Sequence, residues 1–160
     1  MGFPTSIQKS LAQPSTAFGF WLTVPSAAVA KTILHGTEPS TNFSWVLIDA
    51  EHGLISDHHY YELNNALASE GASPINRIPC AEEWMIKRAL DAGAHGIMTP
   101  MCHIESQCNL KADAINVVKY CRYPPLGTRG YGPKWAPHTF PGVAGSDYDE
   151  GIQSGLTVAA

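Results

Sequence analysis

The sequence predicts an α/β fold in which strands and helices alternate around a parallel sheet. Short apolar runs rich in β-branched and aromatic residues recur along the chain, and segments with helical spacing of apolar residues separate them. This alternation is typical of β/α units, whose strands run in one direction. A chain of 160 residues can close a single core. We therefore expect one domain, residues 17–160, after a polar and flexible arm, residues 1–16.

Local signals set the bounds of each element. Pro25 and Ser26 follow the first strand and are typical of a helix start, and Ser56 is a suitable N-cap for the helix after the second strand. Gly71 and Gly93 end the second and third helices. The predicted strands cover residues 17–24, 45–48, 74–79, 95–101 and 156–160, and the predicted helices cover residues 27–34, 57–68, 82–90 and 111–122.

Ionisable side chains follow the second predicted strand directly. The apolar run 45–48 leads into Asp49, Glu51 and His52. Because α/β folds bind substrates at the carboxyl ends of their parallel strands, this cluster marks a candidate site. The alternative is a strand that continues into a solvated turn, in which Asp49 and His52 cap the next helix.

Two more charged residues lie against local preference. Arg77 falls within a short predicted strand, where a buried guanidinium is costly without an anionic partner, so it either faces solvent or pairs with a carboxylate. Asp91 lies at the carboxyl end of the third helix, where the macrodipole favours a cation. Its position indicates either a function or a salt bridge to another part of the chain.

The composition of the chain indicates which kinds of partner the protein is expected to bind. The net charge is −4, charged residues make up 15% of the chain, and no basic run occurs, so the sequence does not predict nucleic-acid binding. No stretch reaches the roughly 20 apolar residues of a membrane span. The charge pattern favours small-molecule or protein partners. The four cysteines occur in a sequence of ordinary size, not in a short disulfide-framed one, so we expect reduced thiols and a cytoplasmic protein.

Four blocks of this sequence resemble the HpcH/HpaI aldolase family, to which macrophomate synthase is related. The blocks are residues 46–53, 76–79, 86–98 and 122–133, and the resemblance runs from about Phe18 to the last residue. Four blocks in the right order are far more specific than any one alone. The resemblance implies a partial (β/α)8 TIM barrel of the phosphoenolpyruvate/pyruvate superfamily, comprising about its first half and the start of strand 5.

The resemblance also implies a chemistry. Members of the family are metal-dependent carbon–carbon lyases of the class II aldolase type, in which Mg, Mn or Co holds a pyruvate enolate formed from a 4-hydroxy-2-oxo acid. By this resemblance Arg77 contacts the keto oxygen and the enolate charge, His52 acts in proton transfer with a metal-bound water, and Asp91 pairs with His52.

Other positions receive weaker assignments from the same resemblance. Asp49 and Glu51 match acidic positions close to the metal and its waters. Arg129 and Tyr131 belong to a loop that lies near the substrate mouth or at a subunit interface. A homo-oligomer is expected, because a half barrel leaves strand edges that favour pairing with a second copy.

The sequence departs from the family pattern in two places. The family's principal metal ligands, a Glu after strand 5 and an Asp after strand 6, are expected to lie outside these 160 residues. Residues 102–110 resemble an insertion, and the run 103–106, which contains Glu105, is similar to the family's metal motif but occurs two elements too early. The alternative function is therefore a catalytically inactive truncated or mis-spliced member that acts at most as a binding fragment.

Overall fold

Five parallel strands form one sheet in the computed structural model, in the order in which they occur along the chain. The structure describes residues 4–36, 43–100, 110–143 and 147–159. The α/β class predicted from the alternation of elements is confirmed. The strands are β1 (Gly19–Leu22), β2 (Trp45–Asp49), β3 (Ser73–Arg77), β4 (Gly96–Met98) and β5 (Thr157–Ala159).

Helices connect the strands and return the chain from the carboxyl end of one strand to the amino end of the next. The helix start expected at Pro25 and Ser26 is confirmed, and Ser26 is the N-cap of the helix that follows, because its Oγ accepts a hydrogen bond from the Val29 amide at 3.3 Å. The α-helices are α1 (Ser6–Leu11), α2 (Ala27–His35), α3 (Tyr60–Ser69), α4 (Glu83–Asp91), α5 (Leu110–Cys121) and α6 (Tyr148–Gly155), and 3-10 turns occupy Asp57–His59 and Ala136–Thr139.

The amino-terminal arm differs from the expectation, because it contains α1 and is hydrogen bonded to the domain. The Ile7 amide donates to Ser73 Oγ at 3.0 Å, and Ser6 Oγ donates to the Gly71 carbonyl at 2.6 Å. Ser73 begins β3, so α1 lies against the amino edge of the sheet. These contacts join residues far apart in sequence, and the local polarity of the arm does not reveal them.

The two faces of the sheet carry different residues. Val46 and Ile48 are fully buried and pack in one core with Leu63 and Leu90 from the helices. Successive strand residues point to opposite faces, so Leu47 and Asp49 point away from that helical layer. Their register partners do the same, since Leu47 pairs with Trp21 and Ile75, and Asp49 pairs with Arg77. Asp49 and Arg77 therefore belong to the face opposite the helical core.

The segment between α5 and β5 packs at the amino edge. Thr139 Oγ1 donates to the Gly93 carbonyl at 2.8 Å, and His95, directly before β4, contacts the Thr139 carbonyl through Nε2 at 2.9 Å. Gly93 has φ +98°, and a Cβ there would lie 2.5 Å from the Thr139 side chain. A second small core of Tyr148, Ile152 and neighbouring aromatic rings forms in the same segment.

Several sequence features fall outside the described residues. The segment with Cys102, His103, Glu105 and Cys108 is among them, so the comparison of this segment with the metal motif remains a prediction. Across the ranges that the structure does describe, no helix combines the length and the apolar character needed to cross a membrane.

His95 should make stability depend on pH. Burial lowers the pKa of His95 to about 4, below the value of about 6.5 for an unfolded histidine. Its contribution to stability is therefore complete above about pH 6.5 and is lost as the pH falls towards 4. We expect the free energy of unfolding of the wild type to fall by about 2 kcal/mol more than that of His95→Gln between pH 7.5 and pH 5.

Urea denaturation of both proteins at the two pH values measures this difference. Glutamine keeps an N–H donor for the Thr139 carbonyl but does not titrate, and all other titrating groups are common to both proteins. Equal pH dependence in the two proteins would contradict the prediction.

Candidate functional site

Asp49 organises the turn that follows β2. Its side chain is buried, and Oδ1 accepts hydrogen bonds from the amides of Glu51 at 3.0 Å and His52 at 2.9 Å. The carboxylate thus satisfies two backbone donors that the end of the strand leaves unpaired. Asp49 therefore fixes the position of the two ionisable residues that follow it.

Gly53 allows this turn to approach the end of β1. A Cβ at Gly53 would lie 2.3 Å from the Asp49 carbonyl oxygen and 2.9 Å from the Thr23 carbonyl oxygen. The next residue, Leu54, donates its amide to the Thr23 carbonyl at 2.8 Å. Only a residue without a side chain fits this close approach, which joins the carboxyl ends of β1 and β2.

Glu51 links Arg77 and His52. Glu51 Oε2 lies 2.6 Å from Arg77 Nε, and Oε1 lies 3.4 Å from His52 Nε2. The strand register places the pair, because Asp49 is the partner of Arg77 and the Ala50 amide donates to the Arg77 carbonyl at 3.0 Å. Of the two alternatives for Arg77, pairing with a carboxylate is the one observed.

Exposure differs sharply within this cluster. The Arg77 side chain is 15% exposed and the His52 side chain is 66% exposed.

Trp21 of β1 adds an aromatic ring to this cluster, and the ring centroid lies 5.3 Å from Arg77 Cζ. Sequence reasoning missed Trp21, although its place near the carboxyl end of the first predicted strand was a signal. Among the described residues, Glu51 is the one carboxylate paired with Arg77, and the closest contact is at Nε.

Asp91 lies in a different cluster. Helix α4 starts after the carboxyl end of β3 and runs back to the amino end of β4, so its last residue, Asp91, lies about 12 Å along the helix axis from its first. Asp91 Oδ2 contacts Lys87 Nζ at 2.6 Å, and Oδ1 accepts a hydrogen bond from Arg129 Nη2 at 2.7 Å. The expected pairing of Asp91 with His52 is not formed within the chain.

These two cations explain the position of Asp91. A carboxylate at a helix carboxyl end opposes the macrodipole, and Lys87 and Arg129 offset that repulsion. The salt bridge to another part of the chain, one of the two alternatives from the sequence, is therefore present.

Arg129 and Tyr131 belong to this second cluster and not to the cluster around Arg77. The Arg129 side chain is fully buried, with Cζ 4.6 Å from the centroid of the Tyr123 ring. Tyr131 is largely exposed, and a hydrogen bond to Asp149 raises the pKa of Tyr131. The loop that carries both residues follows α5 at the amino edge of the sheet, so neither residue reaches a ligand bound at Arg77 of the same chain.

The described residues do not by themselves form a metal site. Within the ranges that the structure covers, no group of three or more His, Cys, Asp or Glu side chains is arranged to hold a metal ion. Of the acids near Arg77, Asp49 is occupied by backbone amides and Glu51 by the guanidinium. The donor set therefore does not fit a complete metal centre, and no chemical step through a metal follows from it.

Fold and site together define the class of the protein. A parallel sheet of β/α units with a charged cluster at its carboxyl edge is the arrangement of barrel-type enzymes. The family model for HpcH/HpaI aldolase/citrate lyase matches residues 18–154. The chain belongs to this family.

Individual relatives agree with this assignment. The chain is 35% identical over 127 residues to a hydroxypyruvate/pyruvate aldolase of Roseobacter denitrificans, covering 79% of this chain and 45% of the relative. It is 33% identical over 134 residues to a 4-hydroxy-2-oxovalerate aldolase of Rhodococcus jostii, with the same two coverages. The chain thus spans less than half the length of these relatives.

A solved structure supports the fold. An HpcH/HpaI aldolase/citrate lyase family protein from Burkholderia cenocepacia J2315 superposes with a TM-score of 0.76 at 27% identity. The match covers 94% of this chain and 56% of that structure. The strands and helices described above are therefore part of a larger β/α barrel in that relative.

The role of Asp49 can be tested by a pair of substitutions. Asp49→Ala removes the acceptor of two backbone amides, so we expect the free energy of unfolding to fall by about 1–3 kcal/mol. Asp49→Asn retains one carbonyl oxygen in the same place and should lose less than about 1 kcal/mol. Urea denaturation measures both, and an equal loss in the two variants would show that the hydrogen bonds do not matter.

The second cluster can be tested in the same way. Arg129→Met leaves the mostly buried Asp91 with only one cation, and we expect a loss of about 3 kcal/mol. Lys87→Met removes the partner that is 38% exposed and should cost less than about 1 kcal/mol.

The double variant Arg129→Met with Asp91→Asn is the control for this comparison. It removes the unpaired charge and should recover part of the lost stability in urea denaturation. Similar losses for the Arg129 and Lys87 variants would contradict the assignment.

Proposed function

We propose that the cluster around Arg77 binds the enolate of a pyruvate unit, in a lyase that forms or breaks a carbon–carbon bond of a 4-hydroxy-2-oxo acid. The observation that supports this most is the guanidinium of Arg77, which lies beside Glu51, with Nε 2.6 Å from Oε2, and keeps 15% of its side chain exposed. A planar guanidinium donates parallel hydrogen bonds to paired oxygens, such as those of a 2-oxo acid. Membership of the aldolase family agrees with this reaction class.

In this proposal Arg77 stabilises the negative charge that develops on the keto oxygen during bond cleavage. The positive charge of Arg77 is in place before the substrate binds, because Glu51 Oε2 lies 2.6 Å from Arg77 Nε and pairs with the guanidinium. In the cleavage direction, His52 accepts the proton of the C4 hydroxyl at an imidazole nitrogen while the C3–C4 bond breaks, which releases the aldehyde and leaves the enolate; protonation of the enolate at C3 then gives pyruvate. In condensation, His52 returns a proton to the C4 oxygen as the C3–C4 bond forms. Its exposed ring and its contact with Glu51 suit this role.

A divalent ion, Mg, Mn or Co, is part of the proposal through family membership. Asp49 and Glu51 would then lie in its outer shell. The roles of Arg77 and His52 do not depend on a metal-bound group, because the described residues do not complete a metal site.

A homo-oligomer is also part of the proposal. Asp91, Arg129 and Tyr131 can take part in proton transfer or substrate binding only if another copy of the chain brings this cluster to the carboxyl edge of the first. Among the described residues, Cys80 and Cys121 are free thiols, and we propose a reducing, cytoplasmic location for the protein.

A non-catalytic binding fragment is the second candidate function. The chain spans 45% of its first relative, and β1 and β5 each pair on only one side in the described sheet. Unpaired strand edges favour association with another chain.

Turnover assays of Arg77 variants test the proposed lyase activity. Pyruvate released from 4-hydroxy-2-oxovalerate, with Mg, Mn or Co added, is measured with lactate dehydrogenase and NADH. Arg77→Ala should lower kcat/KM by about 100-fold or more, because it removes the donors to the developing charge. Arg77→Lys should retain more activity, since it keeps the charge but not the planar pair of donors.

Arg88 provides the matched control. It also forms an ion pair at 2.6 Å, with Asp57, but lies on the outer side of α4 with 58% exposure. Arg88→Ala should leave turnover unchanged. Equal turnover in the wild type and Arg77→Ala would contradict the lyase proposal. Absence of turnover with every metal, together with binding of oxalate, a planar enolate analogue, that depends on Arg77, would favour the binding fragment.

A further inference from the structure

Trp21 and Arg77 project from the same face of the sheet. Trp21 is in register with Leu47, and Leu47 is in register with Ile75. Arg77 follows Ile75 by two residues on β3, so its side chain points to the same face one step closer to the carboxyl edge. The indole of Trp21 therefore lies beside the guanidinium, with Arg77 Cζ 5.3 Å from the ring centroid.

The ion pair with Glu51 alone does not fix the guanidinium plane. Arg77 Nε and Glu51 Oε2 lie 2.6 Å apart without the geometry of a hydrogen bond, so this contact does not set the rotation of the guanidinium about its Cδ–Nε bond. A second contact at a different part of the group is needed to set the direction of the Nη nitrogens. The Trp21 ring provides one, because a guanidinium is attracted to the π-electrons of an indole.

The exposed fractions of the two side chains agree with a contact between the indole of Trp21 and the guanidinium of Arg77. Trp21 is 49% exposed, whereas the Arg77 side chain is only 15% exposed, so the guanidinium is the better shielded of the two groups. Partial exclusion of water strengthens the interaction of the guanidinium with an anionic ligand. A large aromatic side chain that remains half exposed on this face is thus explained by its contact with the cation.

We propose that Trp21 is a positioning residue, which sets the plane of the Arg77 guanidinium so that both Nη nitrogens face the oxygens of the 2-oxo acid. The proposal rests on the function proposed above and adds to it a residue that acts through Arg77. Trp21 itself touches no reacting atom in this scheme.

Kinetics of Trp21 variants test the effect on the reaction. Trp21→Leu should lower kcat/KM for 4-hydroxy-2-oxovalerate about two- to fivefold, the effect of losing one partly exposed cation–π contact. Most of the loss should fall on kcat, with KM changed less than about twofold, because the guanidinium is needed chiefly where charge develops. Trp21→Phe keeps a ring face and should lose less.

Coupling to Arg77 separates positioning from a general structural role. In the Arg77→Lys background there is no planar guanidinium to orient. The decrease in log(kcat/KM) caused by Trp21→Leu should therefore be less than half the decrease that it causes in the wild type. Trp84→Leu is the matched control, since Trp84 is similarly exposed at 56% but lies on α4, and it should leave activity unchanged. Equal effects of Trp21→Leu in both backgrounds would overturn the proposal.

Nuclear magnetic resonance gives a test that does not need turnover. The Nε–Hε signal of Arg77, assigned by its loss in Arg77→Lys, experiences the ring current of Trp21. Trp21→Leu should shift this signal, and Trp84→Leu should leave it in place. An unshifted signal in Trp21→Leu would overturn the positioning role.

Oxalate binding distinguishes the two proposals. If Arg77→Ala changes neither turnover nor the Kd for oxalate, the proposed function fails, and the positioning role in this reaction fails with it. If Arg77→Ala weakens oxalate binding but Trp21→Leu leaves Kd, kcat and the Nε–Hε signal unchanged, only the inference about Trp21 fails.

Discussion

The parallel register of β2 and β3 is the constraint on which the candidate site depends. It sets Asp49 beside Arg77 and aligns the Ala50 amide with the Arg77 carbonyl, so the turn after β2 passes directly over the end of β3. Glu51 can then reach the guanidinium. A shift of one residue would turn Arg77 to the helical face and separate the pair, because side chains alternate across a strand.

The direction of α4 produces two charged clusters instead of one. Helices in β/α units run opposite to the strands, so Arg77 before α4 and Asp91 at its end lie at opposite edges of the sheet. In both clusters an arginine lies beside a carboxylate and an aromatic ring: Glu51 and Trp21 for Arg77, Asp91 and Tyr123 for Arg129. Burial distinguishes the two guanidinium groups, since the Arg129 side chain is 0% exposed whereas the Arg77 side chain is 15% exposed. Arg77 is therefore the arginine of the pair to which the proposed function gives a ligand.

Family membership and geometry support different parts of the functional argument. The match over residues 18–154 shows the aldolase family and agrees with carbon–carbon lyase chemistry. The contacts of Glu51 and Trp21 with Arg77 identify how this chain would hold the cation that such chemistry needs. The similarity indicates a class of reaction, and the geometry shows which described side chains contact Arg77.

The sequence by itself determined the α/β class, the order of strands and helices, the family and the ionisable residues after β2. These follow from periodicity, capping and short motifs, which depend on neighbours within a few residues. Only the tertiary structure decided that Glu51 pairs with Arg77, that Asp91 pairs with Arg129 and not with His52, and that α1 is fixed to β3. It also showed α6, which the glycine-rich sequence around it did not predict. Partners of this kind are set by strand register and helix direction, and a linear pattern contains neither.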